Sequence, residues 1–163
     1  MVTSTGVARE TSAVPRQSWD DYFLAHAELT ATRSTCVRRH VGCVMVRDHH
    51  IVACGYNGAP RKAPHCTDVG CARSGLLSGE RLDLCRAQHA EANAVCQAAM
   101  HGISLKGATC YVTVRPCAHC MRLLIQAGVE RVVWRGDYPD ETTVKVAKES
   151  GFEARNGEIR RMV

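Results

Sequence analysis

His89-Ala-Glu-Ala-Asn-Ala-Val-Cys-Gln-Ala-Ala-Met-His101, Thr109-Cys-Tyr-Val-Thr-Val114 and Pro116-Cys-Ala-His-Cys-Met-Arg-Leu-Leu-Ile-Gln-Ala127 follow one another with only short links between them. The first is Ala-rich and closed by Gly102, which spells a helix ended by a residue free to take left-handed backbone. The second has the β-branched texture of a strand, and the third is a helix introduced by Pro116 and closed by Gly128. Working outward, Arg131 to Trp134 is a strand, Glu141 to Glu149 a helix, and a last short strand lies near Phe152. Upstream, Ser18 stands three residues before Asp21, a capping pattern, and Phe23, Leu24, Ala27 and Ala31 continue at helical spacing toward Arg33. Val41 to Val46 and Ile51 to Tyr56 form a hairpin across polar Arg-Asp-His-His. Strands alternating with helices in this way imply an α/β layered sheet.

The chain has 163 residues, about the size of one domain, with 45% hydrophobic and 23% charged residues, so neither disorder nor a fibrous repeat is indicated. No apolar run approaches the roughly 18 residues of a membrane span. Met1 to Arg16 lacks the apolar core of a signal peptide and reads as a flexible lead-in; a cytoplasmic protein with no membrane partner is expected. The formal net charge is +5, but the basic residues are scattered, with Arg33, Arg38 and Arg39 the closest approach to a patch. Only 5% of residues are aromatic, too few for a stacking surface, so a small anionic ligand is expected and nucleic acid is not.

Ten cysteines without a secretory signal argue for metal or catalysis over disulfides. Cys43, Cys54, Cys96 and Cys110 sit inside strand or helix runs and read as small buried hydrophobes. Cys117 and Cys120 lie one turn apart at a helix start, where both sulfurs can reach one ion and the helix N-terminus favours a thiolate. His89 supplies a third ligand, and three protein ligands leave a position open for water, as in catalytic zinc sites. Glu91, two residues on, is the proton shuttle between that water and the substrate ring. His119, between the two cysteines, reads as a helix-face residue. His-x-Glu followed by Pro-Cys-x-x-Cys is the known signature of zinc-dependent base deaminases.

On these motifs, and on Ser34-Thr-Cys-Val-Arg-Arg39, Val41-Gly-Cys-Val-Met-Val46, Gly55-Tyr-Asn-Gly-Ala-Pro60, His65-Cys66, Gly79-Glu-Arg81 and Gly136-Asp-Tyr-Pro-Asp140, the chain resembles the deoxycytidylate deaminases, including the bacterial competence-operon type, of the cytidine deaminase superfamily. The resemblance runs from about Trp19 to Phe152. It implies a three-layer α-β-α sandwich around a mixed sheet of about five strands, cytidine deaminase-like, in a single deaminase domain over 17–163. It also implies hydrolysis of dCMP to dUMP in pyrimidine deoxynucleotide metabolism by a homo-oligomer, a dimer or hexamer, with a catalytic Zn2+ and, in many members, activation by dCTP with Mg2+.

Asn57 would hydrogen-bond the sugar, Tyr138 would contact sugar or phosphate, and Ser34 and Arg38 would belong to the same neighbourhood. The insert near 57–86 is too long for an ordinary loop. Some relatives carry a second zinc there, which Cys36, Cys66, Cys71 and Cys85 would hold as a structural site, with His65 as the alternate ligand. Arg115 and Met100 depart from the family pattern, which opens the alternative of another cytosine nucleotide such as a 5-modified dCMP. A nucleic-acid base is the more distant substrate, and a non-enzymatic zinc module would leave His-Ala-Glu unexplained.

Overall fold

Ser18 opens the first helix as its capping hydroxyl requires: its Oγ accepts from the Asp21 amide at 3.1 Å, and α1 runs over Trp19–Ala31. The computed structural model of the chain describes residues 15–138, 140–155 and 157–162; of the lead-in expected over 1–16, residues 1–14 lie outside them. The hairpin follows as β1 (Gly42–Arg47) and β2 (His50–Tyr56), turned through Asp48 and His49 with positive φ. After the insert come α3 (Ala90–Met100), β3 (Thr109–Val114), α4 (Ala118–Gln126), β4 (Arg131–Gly136) and α5 (Glu141–Glu149), with a four-residue α2 (Cys66–Val69) inside the insert.

Among the described residues the sheet has six strands where about five were expected, in the order β2-β1-β3-β4-β6-β5. The short strand expected near Phe152 is a hairpin, β5 (Phe152–Arg155) and β6 (Glu158–Arg161), and it is β6 that pairs with β4. Only Ile159 of β6 is fully buried, so no apolar run announces that strand in the sequence.

The strands alternate their side chains between two faces. Cys43, Met45, Cys110, Val112 and Val132 face the layer of α3, α4 and α5, while Val44, Val46, Tyr111 and Val133 face α1, whose Phe23, Leu24 and Ala27 cover them. The result is the three-layer α-β-α sandwich. Phe23, 1% exposed, anchors α1, a burial worth about 1.5–3 kcal/mol. A polar tie joins α1 to the sheet: both terminal nitrogens of Arg131 meet the Asp20 carboxylate at 2.7 Å, and the Tyr111 hydroxyl donates to the same carboxylate at 2.8 Å.

Strand direction decides where a site can form. β3 and β4 are parallel, and β1 is antiparallel to both β2 and β3, so β2, β3 and β4 all end on one edge of the sheet. The helices after β2 and β3 therefore start side by side, and the segment leading into β1 lies at the same edge. Gly55 lets α3 settle there, because a Cβ at that position would lie 2.3 Å from the Ala90 carbonyl oxygen and 2.4 Å from the Ala94 nitrogen.

Candidate active site

The convergence of helix starts brings His89, just before α3, against Cys117 and Cys120 at the start of α4. The Nδ1 of His89 lies 3.5 Å from the Cys117 sulfur and 3.3 Å from the Cys120 sulfur. Their ligand atoms all fall within 4.8 Å of one another, the sole such group of three or more metal-ligating side chains among the described residues. These separations let all three donors share one ion at about 2.0–2.3 Å each.

The donor chemistry agrees. Hydrogen bonding from the Cys120 thiol, and then contact with His89, hold the Cys117 thiol down at about 4 despite burial. Cys120 is correspondingly pushed up, first by its bond to Cys117 and then by burial. The neighbouring Cys117 sulfur raises His89. One thiolate beside an imidazole and a second sulfur is a donor set suited to zinc.

Glu91 is 4% exposed, and its carboxyl is raised chiefly by burial. It lines a pocket of about 250 Å³ that also takes in His89 and Cys117. Asp140 ties two helix starts together: one carboxylate oxygen accepts from the Ala118 amide at 2.8 Å and the other from the Thr142 amide at 3.0 Å, capping α4 and α5. Sequence reading assigned Asp140 no role; the cap on α5 is written in its position before Glu141, whereas the bond to Ala118 spans 22 residues and leaves no local mark.

Asn57, Tyr138 and Arg38 all line the same pocket. Asn57 is 8% exposed and ties the segment before β1: its Oδ1 accepts from the Val41 amide at 2.8 Å and the Ser34 hydroxyl at 2.7 Å, and its Nδ2 donates to the Arg39 carbonyl at 2.8 Å. Ser34 thus reaches the site through Asn57. Arg38 uses its guanidinium on the insert, donating to the carbonyls of Arg73 and Leu76 at 2.7 Å each. Arg73, unremarked in the sequence, is 7% exposed and donates to the carbonyls of Glu80 and Leu77. The insert's two ends close on each other through paired amides of Gly58 and Gln88. Arg115 donates through Nε and a terminal nitrogen to the Tyr138 carbonyl and forms an ion pair with Asp137 at 3.0 Å.

Cys36, Cys66, Cys71 and Cys85 line this pocket too, and Cys66 is raised by burial first and then by the fields of the other three. No three of their sulfurs come within 4.8 Å of one another. His65 instead contacts the Thr35 hydroxyl through Nδ1 at 3.1 Å. Cys43 and Cys110 are buried with their sulfurs 3.4 Å apart and Cys54 is half-buried, but Cys96 is exposed on α3, contrary to its reading as a buried hydrophobe. His119 is exposed on α4.

A layered α/β fold that brings a His and a Cys-x-x-Cys pair to one point beside a buried Glu defines the zinc-site deaminase class. Residues 17–135 match the family model for the cytidine and deoxycytidylate deaminase zinc-binding region, and the chain belongs to that family. It is 38% identical over 148 residues to the deoxycytidylate deaminase of Saccharomyces cerevisiae, covering 90% of this chain and 47% of that protein. With the ComE operon protein 2 of Bacillus subtilis it shares 42% identity over 123 residues, covering 76% of this chain and 62% of the relative. The chain thus spans about half to three-fifths of the length of these two relatives. The crystal structure of a dCMP deaminase from the cyanophage S-TIM5 in complex with dCMP and dUMP superposes with a TM-score of 0.68 at 28% identity, covering 80% of this chain and 90% of that one. Among the described residues, no helix is long and apolar enough to cross a membrane.

Proposed function

We propose that the chain hydrolyses dCMP to dUMP and ammonia, with His89, Cys117 and Cys120 as zinc ligands and Glu91 as proton carrier. The observation that carries this reading is the convergence of those three donors beside a buried carboxylate in one pocket. Support also comes from the names of the relatives and from the fold shared with an enzyme crystallised with dCMP and dUMP.

Zinc, when bound, supplies a Lewis acid that makes water nucleophilic at neutral pH. Glu91 takes a proton from the water that adds to C4 of the cytosine, passes it to the ring nitrogen N3, and then carries the proton of the new C4 hydroxyl to the departing amine as the C4 carbonyl forms. The C4–N bond breaks, ammonia leaves, and one water is consumed. Burial of Glu91 keeps its carboxyl away from bulk solvent so that protons move between water and ring. Asn57 has one Nδ2 hydrogen left for a sugar hydroxyl, with Tyr138 beside it.

By its resemblance to the family, the chain folds over residues 17–163 as one deaminase domain, acting in the cytoplasm as a homo-oligomer, a dimer or hexamer, with dCTP and Mg2+ as effectors. A structural zinc on Cys36, Cys66, Cys71 and Cys85 would tie the insert to the segment after α1, drawing in thiols that already share one pocket. Metal analysis should then find two zinc ions per chain, and one after Cys71→Ser; a single zinc in the unaltered protein removes the second site. For the reaction itself, ammonia release is measured with dCMP, CMP, deoxycytidine, dCTP and 5-methyl-dCMP, with and without dCTP and magnesium. Preferred turnover of dCMP is expected, and no release from any cytosine nucleotide would overturn the reading.

A further inference from the structure

Cys117 stands at the cap position of α4, where a helix ordinarily carries Ser, Thr, Asp or Asn to accept from the free amides of the first turn. Its side chain makes no such bond, and its sulfur faces His89 at 3.5 Å instead. The start of α4 is tied down from α5. Asp140 Oδ2 accepts from the Ala118 amide at 2.8 Å, and Thr143, fully buried, donates its hydroxyl to the Pro116 carbonyl at 2.9 Å. Pro116 is itself fully buried and lies one residue before the cap, outside the helical ladder, so its carbonyl depends on a side-chain donor.

The two bonds bracket one residue. The peptide between Pro116 and Cys117 is held through its carbonyl oxygen, and the peptide between Cys117 and Ala118 through its amide nitrogen. The backbone angles of Cys117, φ −73° and ψ 165°, are the rotations between those two planes. Holding both planes sets the direction in which Cβ leaves the backbone, and only χ1 is left to aim the sulfur. The bracket is anchored in its turn: Asp140 caps α5 through the Thr142 amide, and Val146 and Ala147 bury that helix in the core.

We infer that Asp140 and Thr143 are positioning residues for the zinc ligand Cys117, setting the geometry and strength of the metal site without touching the substrate. The inference rests on the proposed zinc assignment and goes beyond it by extending the site to α5, since neither residue lines the pocket.

Two measurements on the full chain test it, both without substrate. Competition with a chelating dye gives the zinc Kd, and the absorption bands of the cobalt-substituted protein report how the sulfurs meet the metal. Losing a group that orients a metal ligand should weaken zinc binding about 10- to 100-fold in Asp140→Ala and in Thr143→Val and should shift the cobalt bands. Thr143→Ser keeps the hydroxyl and should restore both readouts to near wild type. Val146→Ala loosens the packing of α5 without touching the bracket, and should keep zinc Kd and cobalt bands at wild-type values even where its Tm falls. A zinc Kd within about twofold of wild type in Asp140→Ala or Thr143→Val would overturn the assignment for that residue. Equal weakening in Val146→Ala would overturn it for both, because the bonds would then support only the fold. Should Asp140→Ala fail to fold, Thr143→Val against Thr143→Ser decides. Wild type that binds no zinc refutes the metal assignment and this inference with it, whereas zinc-loaded protein that leaves dCMP unchanged refutes the reaction alone.

Discussion

The floor and the rim of the pocket are built by different forces. The floor consists of the starts of α3 and α4, seated on the sheet through Ala90, Ala94 and Met121, all fully buried, so apolar packing sets the positions of His89, Glu91 and Cys120. The rim is the insert from Asn57 to Arg86, where Cys66 and Arg73 are buried and Leu77, Leu82 and Val69 are exposed. Its shape is held by arginine side chains reaching backbone carbonyls and by the Gly58–Gln88 bridge. Packing gives the floor the rigidity that metal ligation needs, whereas the rim's polar staples are exchangeable with water and each contributes little.

The largest break in this contrast is removal of a floor donor. Cys120→Ser should leave the purified protein without its catalytic zinc and reduce turnover to background, while metal content and ammonia release of the wild type stay coupled on chelation and readdition. Next comes Gly55→Ala, which forces a methyl group into the backbone of α3. Overpacking of this kind costs about 1–3 kcal/mol or more, and thermal unfolding should show a clear fall in Tm together with lost activity. An unchanged Tm would mean that α3 is not seated on the sheet as described.

Loosening the rim should matter less to global stability. Arg38→Ala removes two bonds to the insert, about 1–2 kcal/mol of local stability for a partly exposed pair, so amide exchange should quicken roughly tenfold within 57–86 while α3 and β3 keep their protection. Uniform acceleration over the whole chain would erase the distinction between floor and rim.

The smallest effect lies far from the pocket. Arg131 holds the Asp20 carboxyl below its ordinary value, with burial opposing it and Tyr111 and Arg160 adding to the effect. A lowered folded-state value contributes stability that is present above the unfolded-state value near 3.9 and is lost as pH falls through the folded one. Urea unfolding should therefore weaken between about pH 4 and 3 more in wild type than in Asp20→Asn. Equal acid sensitivity would assign the acid loss to other carboxylates.

The contrast also explains what the sequence could disclose. The floor was legible because its signals are local: the Cys117-x-x-Cys120 spacing, His89 and Glu91 at a helix start, Pro116 and Gly128 bounding α4. The rim was not, because the acceptors that hold Arg38 and Arg73 are backbone carbonyls, which every residue has and no residue type marks. Arg38 was legible as a residue of the pocket but not as a brace, and Arg39 only as one of three neighbouring cations. The exposure of Cys96 was hidden for another reason: α3 buries Ala90, Ala94 and Ala98 on one face, and an Ala-rich helix does not declare which face that is. The β5–β6 hairpin escaped because Ile159 alone supplies its apolar signal on β6.

The most direct test measures zinc content and dCMP turnover on the same preparations of wild type and Glu91→Gln. Retained zinc in both, with kcat/KM in the variant lower by about 10² to 10⁴, is the expected result for a proton carrier that is not a ligand. Undiminished turnover in Glu91→Gln with zinc in place would contradict the account.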